Sequence, residues 1–349
     1  MKIPAIICLC SVMCAAQQWP QISHFHTHML LYNPAAAGAA EQGYATMLYR
    51  KQFWGSPLSP VVMAAAIDMP FSHLRVGLGC VFIKKYTAVY EWTQASANYS
   101  YKINFIKGTL AMGIQAGIKS YIYNPDALNA KDPDENILKY NMLIPDFGTG
   151  LLYNTSSFFA SISIVHLSAG ALALSDNINY PLYRNYIFAA GKKFRLTEVL
   201  QLSTALMIRY EHPQAIQADI QAQIMFYSTA WAGLTYRTGH AVAIQSGINL
   251  YAIIKKIPYD AKIFYAFDIL YAQNAALTQA QAHEIGISIS FGKNLCGTEK
   301  RYRTHRRQPL HFCFENTCIH THAYDVHTAI CTKQIYHTGR YVLQRSIAT

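Results

Sequence analysis

A strict alternation of apolar and polar side chains runs through residues 216–226. The apolar positions are Ile216, Ala218, Ile220, Ala222, Ile224 and Phe226, and the polar positions between them are Gln217, Asp219, Gln221 and Gln223. Successive side chains of a β-strand point to opposite faces. The pattern therefore predicts a strand with one apolar face and one polar face.

The same alternation recurs along the chain, which has no apolar run of about 18 residues that would indicate a membrane-spanning helix. It is especially clear in residues 108–122, 157–165, 241–250 and 282–291, where glycine and other small residues are common on the polar face. We predict fourteen strands. Their spans are 43–53, 59–69, 75–85, 89–103, 108–122, 145–154, 157–165, 184–195, 199–211, 216–227, 230–237, 241–250, 260–270 and 282–291.

Two all-β architectures fit such a series of strands: a transmembrane β-barrel and a soluble β-sandwich. Sandwich strands average about five or six residues, whereas many of the predicted strands reach ten. The connections also alternate roughly between short ones, such as residues 154–156, and long ones, such as residues 124–144. An even number of long antiparallel strands with connections of this kind is typical of outer-membrane barrels. We therefore predict a transmembrane antiparallel β-barrel of about 14 strands.

The composition agrees with this fold but does not select it. Of the 349 residues, 52% are hydrophobic and only 13% are charged, and 25 are tyrosines. Few charges and many aromatic residues suit a lipid-facing surface between aromatic girdles, although a large sandwich would fit as well. Trp54, Trp92 and Trp231 are candidates for girdle positions, and core packing is the competing explanation for each.

The N-terminal residues predict export. Lys2, a short apolar stretch and Cys14-Ala15-Ala16 form a signal peptide over residues 1–16. Acylation of Cys14 would instead make a lipoprotein, but Met13 directly before it fits that motif poorly. Residues 17–42 follow as an N-terminal leader segment with little periodicity. The barrel itself is predicted over residues 43–291, and the expected location is the cell outer membrane.

Residues 292–349 differ from the rest of the chain. They contain 9 Lys and Arg against 3 acidic residues, 6 of the 14 histidines and four of the eight cysteines, without a strand pattern. This basic tail is either a small periplasmic appendage or an artefact such as translation in a shifted frame, and we expect it to be disordered or artefactual. Most of the excess positive charge lies here, so the basic isoelectric point does not indicate that the barrel binds nucleic acid.

The candidate chemistry of the chain is sparse. His24, His26 and His28 would share one face of an extended segment and could bind zinc, although a polar leader is the simpler interpretation. In the tail, Cys313, Cys318, His320 and His322 have metal-like residue types, but their spacing matches no standard zinc finger, and a disulfide is an equal alternative.

The chain also lacks a Gly-x-Ser-x-Gly elbow and a phosphate-binding glycine loop. We expect a protein that is not an enzyme and that holds no cofactor or metal. Four strand carboxylates are expected to point inward and to pair with arginines across the lumen. The acidic residues are Asp68, Asp146, Asp219 and Glu284, and the arginines are Arg50, Arg209 and Arg237.

Six short strings, in order along the chain, resemble the PorP/SprF family of Bacteroidetes outer-membrane proteins, which serve type IX secretion and gliding motility. The strings are Tyr32-Asn33-Pro34-Ala35-Ala36-Ala37-Gly38, Tyr49-Arg50-Lys51-Gln52-Phe53-Trp54-Gly55, Arg75-Val76-Gly77-Leu78-Gly79, Leu143-Ile144-Pro145-Asp146-Phe147-Gly148-Thr149-Gly150, Tyr236-Arg237-Thr238-Gly239 and Ala282-His283-Glu284-Ile285. In the second string Phe53 stands where the family usually has Trp. The tail departs from the pattern, because family members usually end soon after the last strand.

The resemblance implies a non-enzymatic component of type IX protein secretion. Such a component would assist export or surface attachment of adhesin-like clients, or would associate with the periplasmic secretion ring. Expected partners are outer-membrane lipid and other secretion-system proteins or a large secreted adhesin. The alternative is a passive or substrate-specific transport barrel. The motif positions, with a structural or partner-binding role, are Asn33, Pro34, Gly38, Tyr49, Arg50, Gln52, Trp54, Gly55, Pro145, Asp146, Phe147, Gly148, His283 and Glu284.

Overall fold

A computed structural model describes most of the chain. The described residues are 20–40, 42–53, 59–87, 90–123, 140–168, 171–175, 178–181, 183–211, 215–238, 241–253, 260–270, 281–291, 311–314 and 317–320. The predicted signal peptide, Trp54 and Gly55 lie outside this set, as does most of the tail. The chain divides into two compact units, residues 1–293 and 294–349.

The first unit contains a closed antiparallel barrel, as the sequence predicts. Within the described residues, fourteen strands form it, and a separate two-stranded hairpin, β8–β9, lies between β7 and β10. The strands are β1 Gly43–Gln52, β2 Val61–Phe71, β3 Val76–Tyr86, β4 Tyr90–Phe105, β5 Gly108–Tyr123, β6 Tyr140–Asn154, β7 Phe158–Val165, β8 Ala171–Ser175, β9 Ile178–Pro181, β10 Asn185–Arg195, β11 Leu200–Glu211, β12 Ala215–Phe226, β13 Ala230–Arg237, β14 Ala241–Asn249, β15 Ala261–Leu270 and β16 Gln281–Phe291. A single helical turn, α1 Leu250–Ile253, follows β14.

The ring closes because β1 pairs on one side with β2 and on the other with β16. Gly43 lies opposite Phe291 and Gln52 opposite Ala282. Connections in an antiparallel ring alternate between its two ends. We call the end with the β4–β5 and β6–β7 connections the turn end, where β1 begins and β16 finishes. The opposite end, with the long β5–β6 connection, is the loop end.

The distribution of side chains is the inverse of that in a water-soluble protein. On β12, the outward Ile216 and Ile220 are 68% and 53% exposed, while the inward Asp219 and Gln221 are 0% and 2% exposed. Apolar residues on the outside and polar residues inside are what a strand needs between lipid and a polar lumen. Of the described helices, none has the length and apolar character to cross a membrane.

The structure differs from the sequence prediction in three places. Strand β6 begins at Tyr140, five residues before its predicted start, because it stays paired with β5 up to Tyr123. The hairpin β8–β9 lies between the predicted strands 157–165 and 184–195, where no strand was predicted. For two of the girdle candidates the competing explanation, core packing, holds instead: Trp231 is buried inside the barrel against Gly247, and Trp92 lies on the inward face near Lys119.

The most consequential feature is the leader segment, which lies inside the barrel. Residues 20–40, here called the plug, include 3₁₀ turns at Met29–Leu31 and Pro34–Ala36. Their apolar side chains form part of the buried core, including Ile22, Phe25 and Tyr32, which are fully buried. The segment expected to be a polar leader is therefore packed within the lumen.

The second unit is described only over one hairpin. Strand β17 (His311–Phe314) pairs with β18 (Thr317–His320) and sets Cys313 opposite Cys318. The expectation that the tail is disordered or artefactual stays a prediction.

The outward face of β12 provides a test of the membrane-spanning arrangement. Ile220 lies at the middle of β12 and Ile216 near its loop end. Ile220→Lys should lower the free energy of unfolding in lipid vesicles by about 2–4 kcal/mol, and Ile216→Lys by about 0–1 kcal/mol, because the cost of a lipid-facing charge depends on depth. Urea unfolding followed by tryptophan fluorescence measures both values. Equal losses at the two positions would contradict the proposed depth of β12.

Candidate functional site

The plug turns sharply at the Asn-Pro motif. Asn33 caps the turn Pro34–Ala36: its Oδ1 accepts a hydrogen bond from the backbone N–H of Ala35 at 2.9 Å. Its Nδ2 donates to the carbonyl oxygen of Leu151 on β6, also at 2.9 Å. Pro34 occupies the first position of the turn, where its missing N–H is not needed. One side chain therefore both shapes the turn and attaches it to the wall.

Inward glycines of β3, β5 and β6 make room for this turn. A Cβ on Gly77 would lie 1.9 Å from the carbonyl oxygen of Ala37, and one on Gly113 would lie 2.2 Å from the backbone nitrogen of Ala35. On Gly150 it would lie 2.1 Å from Oδ1 of Asn33. The plug backbone thus lies directly against the sheet, which explains why glycine is frequent on the polar face of these strands.

Gly38 ends the turn and requires glycine for two reasons. Its φ is +59°, a left-handed conformation that other residues rarely adopt. A Cβ there would also lie 2.8 Å from the Cα of Gly77. Nearby wall side chains hold the plug carbonyls: Ser100 Oγ donates to Ala37 at 2.6 Å, and Lys102 Nζ donates to Gly38.

Closer to the loop end, a cluster of buried charges holds the start of the plug. Glu284 accepts hydrogen bonds from the backbone N–H of Ser23 at 2.8 Å and of His24 at 3.1 Å. Arg50 Nη2 is 2.7 Å from Asp268 Oδ2, and its Nη1 donates to Ser23 Oγ at 3.0 Å. Arg50, Asp268 and Glu284 are each fully buried. The plug therefore supplies hydrogen-bond partners to charges that the wall places in the lumen.

The charge cluster continues around the wall. Arg237 contacts Asp219 Oδ1 at 3.1 Å and Asp268 Oδ2 at 3.4 Å, and Arg209 contacts Asp219 Oδ2 at 2.9 Å. Gln245 Nε2 donates to the carbonyl oxygen of Ser23 at 2.6 Å. The expected pairing of Asp219 and Glu284 with Arg50, Arg209 and Arg237 is confirmed. We call this set, with Asp268, the loop-end ion cluster.

A second polar group lies on the neighbouring strands β4 to β7. Asp146 is buried and accepts hydrogen bonds from Gln94 and Gln115, both at 3.2 Å. His166 Nδ1 is 2.9 Å from Asp146 Oδ1, and Lys119 Nζ is 2.8 Å from His166 Nε2. Lys119 Nζ is closer still to His166 Nδ1, at 2.6 Å, so Lys119 and Asp146 both contact that nitrogen. Asp146 therefore pairs with His166 and two glutamines, rather than with an arginine as expected from the sequence.

The three leader histidines do not converge as a zinc site would require. His24 Nδ1 binds Glu284 at 2.8 Å, His24 and His28 pack on Phe264, and His26 packs on Phe159. Among the described residues, no group of three or more potential metal ligands is present. Burial and the nearby Lys193 lower the pKa of His26 to about 4, and burial and His24 lower that of His28 to about 3. Both are neutral at neutral pH.

The other predicted motif positions divide between the two faces of the wall. Gly148 lies on the inward face of β6, while Tyr49 and Phe147 face outward. Pro145 lies on the outward side of β6 and Gln52 at the end of β1. His283 faces outward and its Nδ1 lies 2.7 Å from the hydroxyl of Tyr265. Trp54 and Gly55 belong to the part of the chain that is not described.

Sequence reasoning missed several residues of the site. Asp268, Gln245 and Lys119 occupy inward strand positions, so their alternation could have revealed them. Ser23 and His166 had no such signal, because their roles depend on where the plug and the end of β7 lie. His166 also has a φ of +63°, an unusual backbone conformation for a residue other than glycine.

These features define the chain as a transmembrane β-barrel with an internal N-terminal plug. The profile of one protein family, described as "Type IX secretion system membrane protein PorP/SprF", matches residues 14–289. The chain belongs to this family and is a type IX secretion membrane component. The match ends within β16, before the tail.

No curated protein sequence matches the chain. Solved structures with a similar fold include a FadL homologue of Pseudomonas aeruginosa, at 9% identity, covering 74% of this chain and 92% of that one, with a TM-score of 0.46. The toluene transporter TodX of Pseudomonas putida is 10% identical, with coverage of 76% and 93% and a TM-score of 0.44. A "TodX deltaS2S3 mutant monoaromatic hydrocarbon channel" is 12% identical, with coverage of 75% and 93% and a TM-score of 0.46.

The inward glycines that lie against the plug lead to a prediction about how the plug docks. Gly113→Ala should displace the plug, because the new Cβ would overlap backbone atoms of Pro34 and Ala35. Backbone atoms, unlike the end of a flexible side chain, cannot rotate out of the way. Protease should then cleave within residues 20–40 at least tenfold faster, while the barrel keeps its resistance to SDS at room temperature. Gly148→Ala is the matched control, since its Cβ would have no neighbour closer than 3.3 Å. Equal cleavage of the two variants would contradict the role of Gly113.

The loop-end ion cluster makes a second prediction. Arg50→Met should cost about 3–5 kcal/mol of unfolding free energy, because it leaves the carboxylates of Asp268 and Glu284 with less compensation in a buried site. The control is Lys84→Met, which breaks the part-exposed Lys84–Glu91 pair and should cost at most about 1 kcal/mol. Urea titration in lipid vesicles measures both. If the two variants lose a similar amount of unfolding free energy, burial does not determine the cost of breaking an ion pair in this barrel.

Proposed function

We propose that this protein is an outer-membrane component of type IX secretion that acts as a plugged scaffold. It assists export or surface attachment of an adhesin-like client, or contacts the periplasmic secretion ring, and does so through its rims and loops. The observation that carries this proposal is the plug, which packs against glycines of the wall and is bound by the loop-end ion cluster. A lumen filled in this way favours a docking role over diffusion of solutes.

The two ends of the barrel suggest how partners would be arranged. Short connections of outer-membrane barrels face the periplasm and long ones face the outside. The turn end would then face the periplasm, together with the start of β1 and the end of β16. Periplasmic ring proteins would meet this end, and the long connections would meet partners at the cell surface.

The runner-up is a transport barrel. Its support is the polar lumen, with buried glutamines and charges along β4, β5, β12 and β14. This function would require the plug to leave its site, or a path to open beside it. The contacts of Ser23, His24 and Asn33 would have to break for such a movement.

Planar-bilayer recording separates the two functions. The purified protein should conduct little, because the plug occupies the lumen, and deletion of residues 20–38 should produce steady conductance. Deletion of residues 294–349 is the control, and this variant should conduct as little as the unaltered protein. Steady conductance and solute flux through the unaltered protein would support transport instead.

Affinity purification from the native membrane tests the partner role directly. The unaltered protein should retain a large adhesin or secretion-ring proteins after mild detergent extraction. An unrelated outer-membrane barrel with the same tag is the control. Recovery of the protein without any secretion-system component, in a strain that secretes normally, would count against the scaffold function.

A further inference from the structure

Wall side chains near the loop end bind a short run of plug main chain. Glu284 accepts two consecutive backbone N–H groups, from Ser23 at 2.8 Å and from His24 at 3.1 Å. Gln245 Nε2 donates to the carbonyl oxygen of Ser23 at 2.6 Å, and Arg237 Nη2 donates to the carbonyl oxygen of the preceding residue at 3.4 Å. Three consecutive plug residues are thus held through their main chain, as a bound peptide would be.

The side chains of the same plug residues add selectivity. The hydroxyl of Ser23 lies 2.8 Å from both carboxylate oxygens of Asp268 and accepts a hydrogen bond from Arg50 Nη1 at 3.0 Å. Hydrogen bonds to charged groups are about twice as strong as neutral ones. Ile22 before the serine and Phe25 after it are fully buried in the apolar core. The wall therefore fits a segment in which a hydroxyl residue lies between apolar residues.

We call the five wall side chains that make these contacts the peptide site. Its residues are Arg50, Arg237, Gln245, Asp268 and Glu284.

The peptide site holds only one end of the plug. At the other end, Asn33 binds the wall at Leu151, and the backbone of Ala35 lies against Gly113. Within the described part of the chain, these two sets of contacts share no wall residue. The first part of the plug can therefore leave the peptide site while the turn at Pro34 stays docked.

An empty peptide site would be unfavourable. Without the plug residues, Glu284 loses two backbone N–H donors and Asp268 loses the serine hydroxyl. Both carboxylates are fully buried, and a buried charge with fewer hydrogen bonds is destabilising. A second chain that supplies the same donors removes this cost. The plug segment is therefore better replaced by another peptide than by nothing.

We propose that the peptide site binds a short segment of a second polypeptide, in which a serine or threonine lies between apolar residues. Residues 22–25 occupy the site as an internal substitute for that segment, and the two exchange. The inference deepens the proposed scaffold function by naming what the loop-end mouth of the barrel recognises. It rests on that function only for the source of the segment, a secreted client or another protein at the cell surface.

Peptide binding to the full-length protein in detergent tests the proposal. The probe is a fluorescein-labelled peptide with the sequence of residues 20–28. Ser23→Asp should open the site to it, because the new carboxylate would lie beside Asp268 and Glu284 and repel the plug's own segment. The probe should bind this variant saturably and the unaltered protein at least tenfold more weakly, since the tethered segment competes at a high effective concentration.

Two results of this measurement would overturn the proposal. One is the absence of saturable binding to Ser23→Asp, and the other is equal binding to the variant and to the unaltered protein, which would place the probe elsewhere. Resistance to SDS at room temperature checks that the variant is folded. Ser23→Val, which loses both hydroxyl contacts without adding a charge, gives the same test if Ser23→Asp does not fold.

Altered probes test the class of ligand. A peptide with alanine in place of the serine should bind Ser23→Asp at least tenfold more weakly, because it lacks the hydroxyl that meets Asp268 and Arg50. A peptide with threonine there should bind within about threefold of the original. If the alanine peptide binds as well as the serine peptide, the site does not recognise a hydroxyl residue and the proposed ligand is wrong.

A second substitution locates the probe. Gln245→Ala, added to Ser23→Asp, should weaken the probe about fivefold, because a hydrogen bond to its main chain is lost. Gln115→Ala in the same background is the matched control. Gln115 is also an inward glutamine, but its amide donates to Asp146, so this change should alter affinity less than twofold. Equal effects of the two substitutions would show that the probe binds outside the peptide site.

These results stay distinguishable from those of the functional tests. If the probe binds as expected but no secretion-system protein co-purifies, the peptide site stands and the secretion role fails. If partners co-purify but the probe does not bind Ser23→Asp, the scaffold function stands and the peptide site is wrong.

Discussion

The structure depends on one constraint: a sheet that crosses a bilayer must satisfy all of its backbone hydrogen bonds within itself. The pairing of β1 with β16 meets this requirement, because it removes the two edges that an open sheet would present to lipid. Closure also fixes the two faces of every strand. The outer face must be apolar over the thickness of the hydrocarbon, and the inner face is free to be polar, as β12 shows.

Closure of so many strands creates a second requirement. In a barrel of about eight strands the inward side chains fill the interior, and a larger ring leaves space. In this barrel the plug takes up that space. Its backbone must be hydrogen-bonded wherever it is buried, and the wall supplies partners such as Ser100, Gln245 and Glu284. Inward glycines and inward charges are therefore two parts of one arrangement, which accommodates and holds the same segment.

This arrangement gives a physical reason for the short family motifs. The Asn-Pro motif of the plug rests on glycines from the third and fourth motifs, Gly77 and Gly150. Arg50, Arg237 and Glu284, from the second, fifth and sixth motifs, meet near Ser23. Motifs separated by as many as 234 residues, as Arg50 and Glu284 are, thus describe one contact surface. Buried ion pairs are weak evidence for stability, and their role here is to place the plug in one position.

The two halves of the barrel interior hold the plug by different kinds of contact. The loop-end half holds most of the buried charge pairs and binds the plug at Ser23 and His24. The turn-end half holds the glycine contacts, where Gly77, Gly113 and Gly150 lie against the plug backbone. The plug is therefore held by charged and polar side chains at one end and by close backbone packing at the other.

The sequence by itself determined the strands and their faces, because alternation follows from local backbone geometry with a period of two residues. All fourteen barrel strands were predictable in this way, and so was the inward direction of Asp219 and Glu284. The tertiary structure decided what the inward residues meet. The leader has no periodicity, so nothing local placed it in the lumen, and His24 looked like part of a polar leader. The choice between a girdle position and core packing stayed open for Trp231 for the same reason, since its surroundings include residues distant in sequence. Which residues become neighbours is set by closure and packing, and no single strand carries that information.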